Sequence, residues 1–254
     1  MSHRFADHRP QDGADTAGTP WSGRTLTGTG FDGDTGAADE RLSRLLGGDD
    51  PEPAAEEVVA AVARARLIVP VVAVAGEVDT SSGIPADASS DMASVTLVAP
   101  DGQRALPAFT STAALGAWDP QARPVPVTAQ RAALAAVQEG CTVIPLDLAP
   151  APGPPAYTLS GSMVWALAMA RDWVPAHRDE QVAAAVAATV QQEEDVVAHR
   201  LAGSGGELVV ELGLRPGLSG PQVQALVTRV GEGLAVDAET RARIDAVTFR
   251  LATA

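Results

Sequence analysis

The run Leu67–Val74, LIVPVVAV, constrains the fold more than any other stretch of the chain. Branched side chains crowd the preceding turn of a helix and sit well on a pleated surface, so the run reads as a strand. Pro70 lies inside it and has no N–H to give to a ladder. Such a strand is expected at a sheet edge or at a bulge. Just before it stands PEPAAEEVVAAVARAR, with Pro53 suited to a helix start, Glu56 and Glu57 in the first turn and Arg64 and Arg66 in the last. That charge order complements the helix dipole, so a helix feeding straight into a strand opens the folded part of the chain.

The same grammar continues. DMASVTLVAP alternates as a strand, DGQ is a tight turn and RALPAFT is the returning strand of a hairpin. VPVTAQRAALAAVQEG reads as a short strand and then a helix, with Thr128 as N-cap and Gly140 just past its end. CTVIPLDL is a strand, APAPGPPA a loop and YTLS a brief strand; SMVWALAMARDW is apolar on nearly all sides and reads as a buried helix. GEVDTSSGIPADASS is a loop by composition. From Pro175 the pattern restarts as α-β-β-α-β: a helix, two strands about Gly-Ser-Gly-Gly, a helix capped by Ser219 with Pro221 near its start, and a last strand with Ile244, Val247, Phe249 and Leu251 facing inward.

These elements define an α+β chain. Two small mixed α/β domains are expected, at 54–174 and 175–254, each a mostly antiparallel or mixed sheet covered by helices. Residues 1–53 are rich in Gly, Asp and Thr and carry no helical or strand period, which predicts an acidic disordered tail. One exception lies near 38–47, where Leu42, Leu45 and Leu46 have helical spacing.

Charge narrows the function. The net charge of −14 argues against nucleic acid or an anionic membrane as partner, because phosphate binding needs local positive charge. All 18 basic residues are Arg; the absence of Lys excludes a Schiff-base or P-loop lysine. The single cysteine, Cys141, cannot form an internal disulfide, which fits a reducing cytoplasm. The opening MSHRFADHRPQDG has no apolar h-region, so no secretory signal is expected, and no apolar run approaches the ~18 residues of a membrane span.

No chemistry declares itself. The four His and Cys141 lack the spacing of a metal site, and Cys141 beside Glu139 reads as a small buried hydrophobe. GTGFDG follows no strand and opens no helix, so it is not a dinucleotide fingerprint. Glu193, Glu194 and Asp195 read as a solvated face. No catalytic, metal or cofactor residue is therefore assigned. Asp147, at the C-terminal end of a strand, is the best single carboxylate, though an Asp opening a Pro-rich loop also serves as a turn former. In LPAFTSTAALGAW, Thr110 or Ser111 is expected to N-cap a short helix, with Phe109 and Trp118 packed on either side of it; a small-ligand turn is the alternative.

The ordered set LPAFTSTAALGAW, then TAQRAALAAVQEGCTVIPLDLAP, then a buried helix resembles the N-terminal domain of the SseB family, named for enhanced serine sensitivity. The residues that carry the likeness are Leu106, Pro107, Phe109, Thr110, Ser111, Leu115, Trp118, Ile144, Leu146 and Asp147. The α-β-β-α-β part resembles the short C-terminal domain of actinobacterial members. The resemblance implies a cytoplasmic protein and carries over no catalytic residue. Two functions follow as expectations. One is a non-catalytic interaction or regulatory module, with a protein partner whose identity stays open and with a homodimer as one form of it. The other is a binder of an amino acid or sulfur metabolite, or an unrecognised enzyme, with its site near 109–111 and 147.

Overall fold

The computed structural model describes residues 30–48, 54–75, 90–150 and 155–253. The expected disorder of the tail falls mostly at 1–29 and 49–53, outside the described residues, as do 76–89 and 151–154 of the two expected loops. Contacts divide the chain after Thr35. In the described part of the first unit a turn is closed by Asp34 N–H on the Phe31 carbonyl at 3.0 Å. All that follows belongs to the second unit, Gly36–Ala254.

Helix α1 (Glu40–Gly47) is the short helix expected near 38–47. The Asp39 carboxylate caps it by accepting from Leu42 N–H at 2.9 Å, and Leu42 is buried. Helix α2 (Ala55–Arg64) buries Val58, Val59, Ala61 and Val62 and runs into strand β1 (Arg66–Ala75).

Strand β1 is central, not an edge. It lies between β2 (Ser90–Ser94) and β5 (Arg123–Thr128), antiparallel to both. Pro70 is tolerated there because of where its missing N–H falls. Ile68 exchanges both backbone hydrogen bonds with Phe109 at 2.8 Å, and the Pro70 carbonyl accepts from Val95 N–H at 3.1 Å. Residues 68 and 70 therefore face the same side, and Pro70 sits where the partner on that side changes from Phe109 to β2. The proline edge belongs to β5 instead. Its Pro126 and Pro124 stand opposite Ile68 and Pro70. Ile68 and Pro70 turn away from β5, so these are non-hydrogen-bonded pairs and the two prolines aim their missing donors outward. That leaves the edge poorly suited to pairing.

The expected hairpin is shorter than its alternating sequence. Ser90–Ser94 pairs with β1, and only β3 (Leu97–Val98) pairs with β4 (Arg104–Ala105) across the Asp101-Gly102 turn, where Gly102 has φ +87°. The rest of the returning segment, Leu106–Phe109, joins two sheets. Leu106 N–H bonds to Val143 O at 3.2 Å and Ala108 N–H to Pro145 O at 3.0 Å, parallel to β6 (Ile144–Leu148). Phe109 meets β1 from the other side. Strand β7 (Pro155–Leu159) pairs antiparallel with β6. Helices α3 (Thr112–Trp118), α4 (Ala129–Gln138) and α5 (Gly161–Ala168) complete this half. Thr128 caps α4 by accepting from Arg131 N–H at 3.3 Å, and Gly140 has φ +68°, as the sequence predicts. Its core joins α1, α2, α4 and α5 to β1, β6 and Leu106.

A second core follows. After a 3-10 turn (Ala176–Arg178) come α6 (Glu180–Val190), β8 (Val196–Ala202), β9 (Glu207–Leu214), α7 (Gly220–Val236), α8 (Ala238–Ala242) and β10 (Ala246–Thr253). The sheet order is β10-β9-β8, with β10 parallel to β9 and β8 antiparallel. Leu208, Val210, Leu212 and Leu214 of β9 pack on Val182 and Val186 of α6 and on Leu226 and Val230 of α7. Phe249 joins this cluster, whereas Val247 and Leu251, on the same face, keep 39% and 48% of their surface exposed because β10 is the outermost strand. Among the described residues no helix is long and apolar enough to cross a membrane.

Candidate functional site

The five residues singled out by the sequence form one cluster where Leu106–Phe109 meets β6. Asp147 lies at the C-terminal end of β6, and its backbone is left-handed with φ +47°. It is skipped by the ladder: Leu146 pairs with Tyr157 and Leu148 with Pro155. Its N–H bonds to Ala108 O at 3.0 Å, and its carboxylate turns back onto Thr110. Oδ1 accepts from Thr110 N–H and Oδ2 from the Thr110 hydroxyl, each at 2.7 Å. Arg66 donates to the Thr110 carbonyl at 2.8 Å, so N–H, hydroxyl and carbonyl of this buried threonine are all held within the protein.

Ser111, not Thr110, caps α3, accepting from Ala114 N–H at 3.0 Å. The Phe109 and Trp118 rings do not straddle the helix. They pack together with centroids 5.2 Å apart and planes tilted by 36°, beside Ile68 and Leu115. Offset aromatic contact of this kind adds about 0.5–1.5 kcal/mol to the burial itself. Every polar atom that the sequence offered for chemistry here is bonded internally.

A second polar arrangement escaped the sequence reading. It repeats the first where α5 meets the C-terminal elements. Asp245 Oδ1 accepts from Ser162 N–H at 2.7 Å and Oδ2 from the Ser162 hydroxyl at 2.9 Å. The Trp173 indole donates to the same hydroxyl at 3.0 Å. Gly206 stands against this carboxylate; a Cβ there would overlap it and come within 2.8 Å of Ser162 Oγ. Nearby, Trp165 carries Arg171 and Arg243 over its ring, 5.5 and 5.0 Å from the centroid. Arg243 reaches Asp179 at 2.6 Å and Glu239 at 2.7 Å, and Asp179 also caps α6 through Gln181 N–H at 2.8 Å. The hydrogen bond from Arg243, then that from Arg171, holds the Glu239 carboxyl below the usual glutamate range. Glu239 thus favours the folded state above the ordinary glutamate pKa, and the contribution is lost as pH falls through its lowered value. Partners separated by 83 residues leave no local pattern, so no signal in the sequence could have joined Ser162 to Asp245.

A cleft of about 520 Å³ opens beside this seam, bounded by Val137, Thr142, Ser160, Trp165, Arg241 and Ile244. The buried Cys141 also borders it. Among the described residues no cluster of His, Cys, Asp and Glu is arranged to hold a metal ion.

The fold and this cluster define an α+β protein whose first half is organised around the segment linking β1 to β6. The model of the SseB protein N-terminal domain matches residues 39–166, from the N-cap of α1 into α5, just over half of the chain. The chain belongs to the SseB family. No curated protein and no solved structure matches it.

Two predictions follow from the paired carboxylates. Asp147→Ala strands the Thr110 N–H and hydroxyl and should cost about 1–3 kcal/mol, whereas Asp147→Asn keeps an acceptor and should cost under about 1 kcal/mol. Urea unfolding reads both, and equal losses would count against the acceptor role. Gly206→Ala should lower the melting temperature by several degrees through the displaced Asp245 carboxylate. Gly161→Ala, whose Cβ would meet ordinary contacts at 3.4 and 3.5 Å, should leave it nearly unchanged.

Proposed function

We propose that the protein is a non-catalytic interaction module that accepts a protein strand along the outer edge of β10. One observation carries the reading: β10, eight residues long, ends its sheet, so one row of its N–H and C=O groups has no ladder partner among the described residues. The hydroxyls and carboxylates that invited a chemical reading are taken up inside the fold, which supports a surface function. A cytoplasmic setting suits the single buried Cys141, and the charge of −14 suits a protein partner better than a nucleic acid or a membrane. No cofactor enters the proposal. Capture from the native host should retain a stoichiometric protein, either another chain or an untagged copy, on the unmodified bait. Retention should drop at least about tenfold on a Val247→Lys/Leu251→Lys bait. Equal retention by both baits, or none by either, would refute the reading.

The cleft favours a second reading, a binder of a small amino-acid or sulfur metabolite. Its volume of about 520 Å³ suits such a ligand, and Arg241 and Trp165 offer a cation and an aromatic edge. This would move the site from 109–111 and 147 to the α5 seam. Amino acids and sulfur metabolites at roughly millimolar concentration should raise the melting temperature, by the linkage of binding to folding. A flat response across that panel would remove this reading.

A further inference from the structure

We infer that the strand accepted by β10 is the β10 of a second copy of this chain, paired antiparallel about a two-fold axis at Phe249. The inference rests on the edge-pairing reading above and names its partner.

The edges of the two larger sheets are treated differently. The outer edge of β5 carries Pro124 and Pro126. The outer edge of β8 is broken by a register shift between Val196 and Ala198. Both are ways of blunting an edge. Strand β10 has neither: it pairs in unbroken register with β9 from Ala246 to Thr253 and contains no proline. Its single charge, Arg250, is directed at Glu211 of β9, 3.7 Å away.

The apolar rows of the sheet end unfinished at this edge. On the helix-covered face Leu208 stands beside Val247, Val210 beside Phe249 and Leu212 beside Leu251. Val247 and Leu251 are the half-exposed ends of their rows, at 39% and 48%. In an antiparallel pair centred on Phe249, Val247 faces the copy's Leu251, and Leu251 faces its Val247. Each apolar row of one protomer then continues into an apolar row of the other, and the two Phe249 rings meet at the axis. On the opposite face Thr248 faces Arg250, so neither arginine opposes its own copy. Moving the axis to Arg250 would set Arg250 against Arg250, a like-charge pair that destabilises a sheet, and moving it to Thr248 would set Leu251 against Asp245 and leave its apolar row unmatched. Opposed residues must share a face, and of these three axes the one at Phe249 matches the apolar rows without a like-charge pair. The outcome is an isologous interface, with the same strand contributed by each copy.

Size-exclusion chromatography with light scattering on the full chain, at about 100 µM, tests this. The unmodified protein should elute at twice the chain mass of 25.9 kDa. Val247→Lys alone and Leu251→Glu alone should each give the single-chain mass, as should Thr248→Arg on the other face, with unchanged circular dichroism. Val247→Lys and Leu251→Glu combined in one chain should restore the doubled mass, because the two positions face each other only across the axis. A single-chain mass for the unmodified protein overturns the inference, as do single variants that stay doubled or a combination that stays single. A monomer that still retains a different protein through β10 in the capture experiment sinks the inference and leaves the broader reading standing.

Discussion

Phe109 exchanges two backbone hydrogen bonds of 2.8 Å with Ile68, while the preceding Ala108 bonds to Pro145 beside it. Two adjacent residues thus address two different strands, and the N-terminal half depends on that division. Without it the β2-β1-β5 sheet and the β6-β7 hairpin would be two small sheets sharing only the helix-packed core. The link is stiffened from both ends. Asp147 holds Thr110 just beyond it, and Leu106 enters it from the main core. The Phe109 and Trp118 rings then close a smaller apolar cluster over it.

Element identity was legible wherever period and punctuation agreed. The α1 spacing, the Thr128 cap, the Gly140 turn and the α-β-β-α-β order all rest on local rules that a few residues satisfy. Partner choice was not legible. DMASVTLVAP alternates without interruption, yet its first half pairs with β1 and its second half with β4. Alternation records which face is buried and is silent on which strand lies alongside. Pro70 shows the same limit, since its tolerance depends on the side toward which its missing donor points. The candidate residues fared similarly: the sequence placed Phe109, Thr110, Ser111, Trp118 and Asp147 in one neighbourhood, and only three dimensions show their polar atoms paired with one another and with Arg66.

The two cores are joined by polar chemistry more than by apolar contact. Ser162 takes its carboxylate from Asp245, and Trp165 lies under two arginines, one of which ties α8 to the start of α6. Arg178 also reaches Glu56 on α2. A seam of this composition depends on charge, so it is more sensitive to pH and salt than the apolar core on either side. It separates the half that carries the family match from the half that carries the open edge.

The left-handed backbone at Asp147 has a consequence for how carboxylates are interpreted in this chain. The position needs a residue that tolerates positive φ and also offers an acceptor to Thr110. Glycine meets the first demand and fails the second. Asparagine meets both, and the chain contains none. Aspartate is what remains in this compositional vocabulary. Its negative charge is a by-product of shape, and an acid at the end of a buried strand can be a matter of conformation alone.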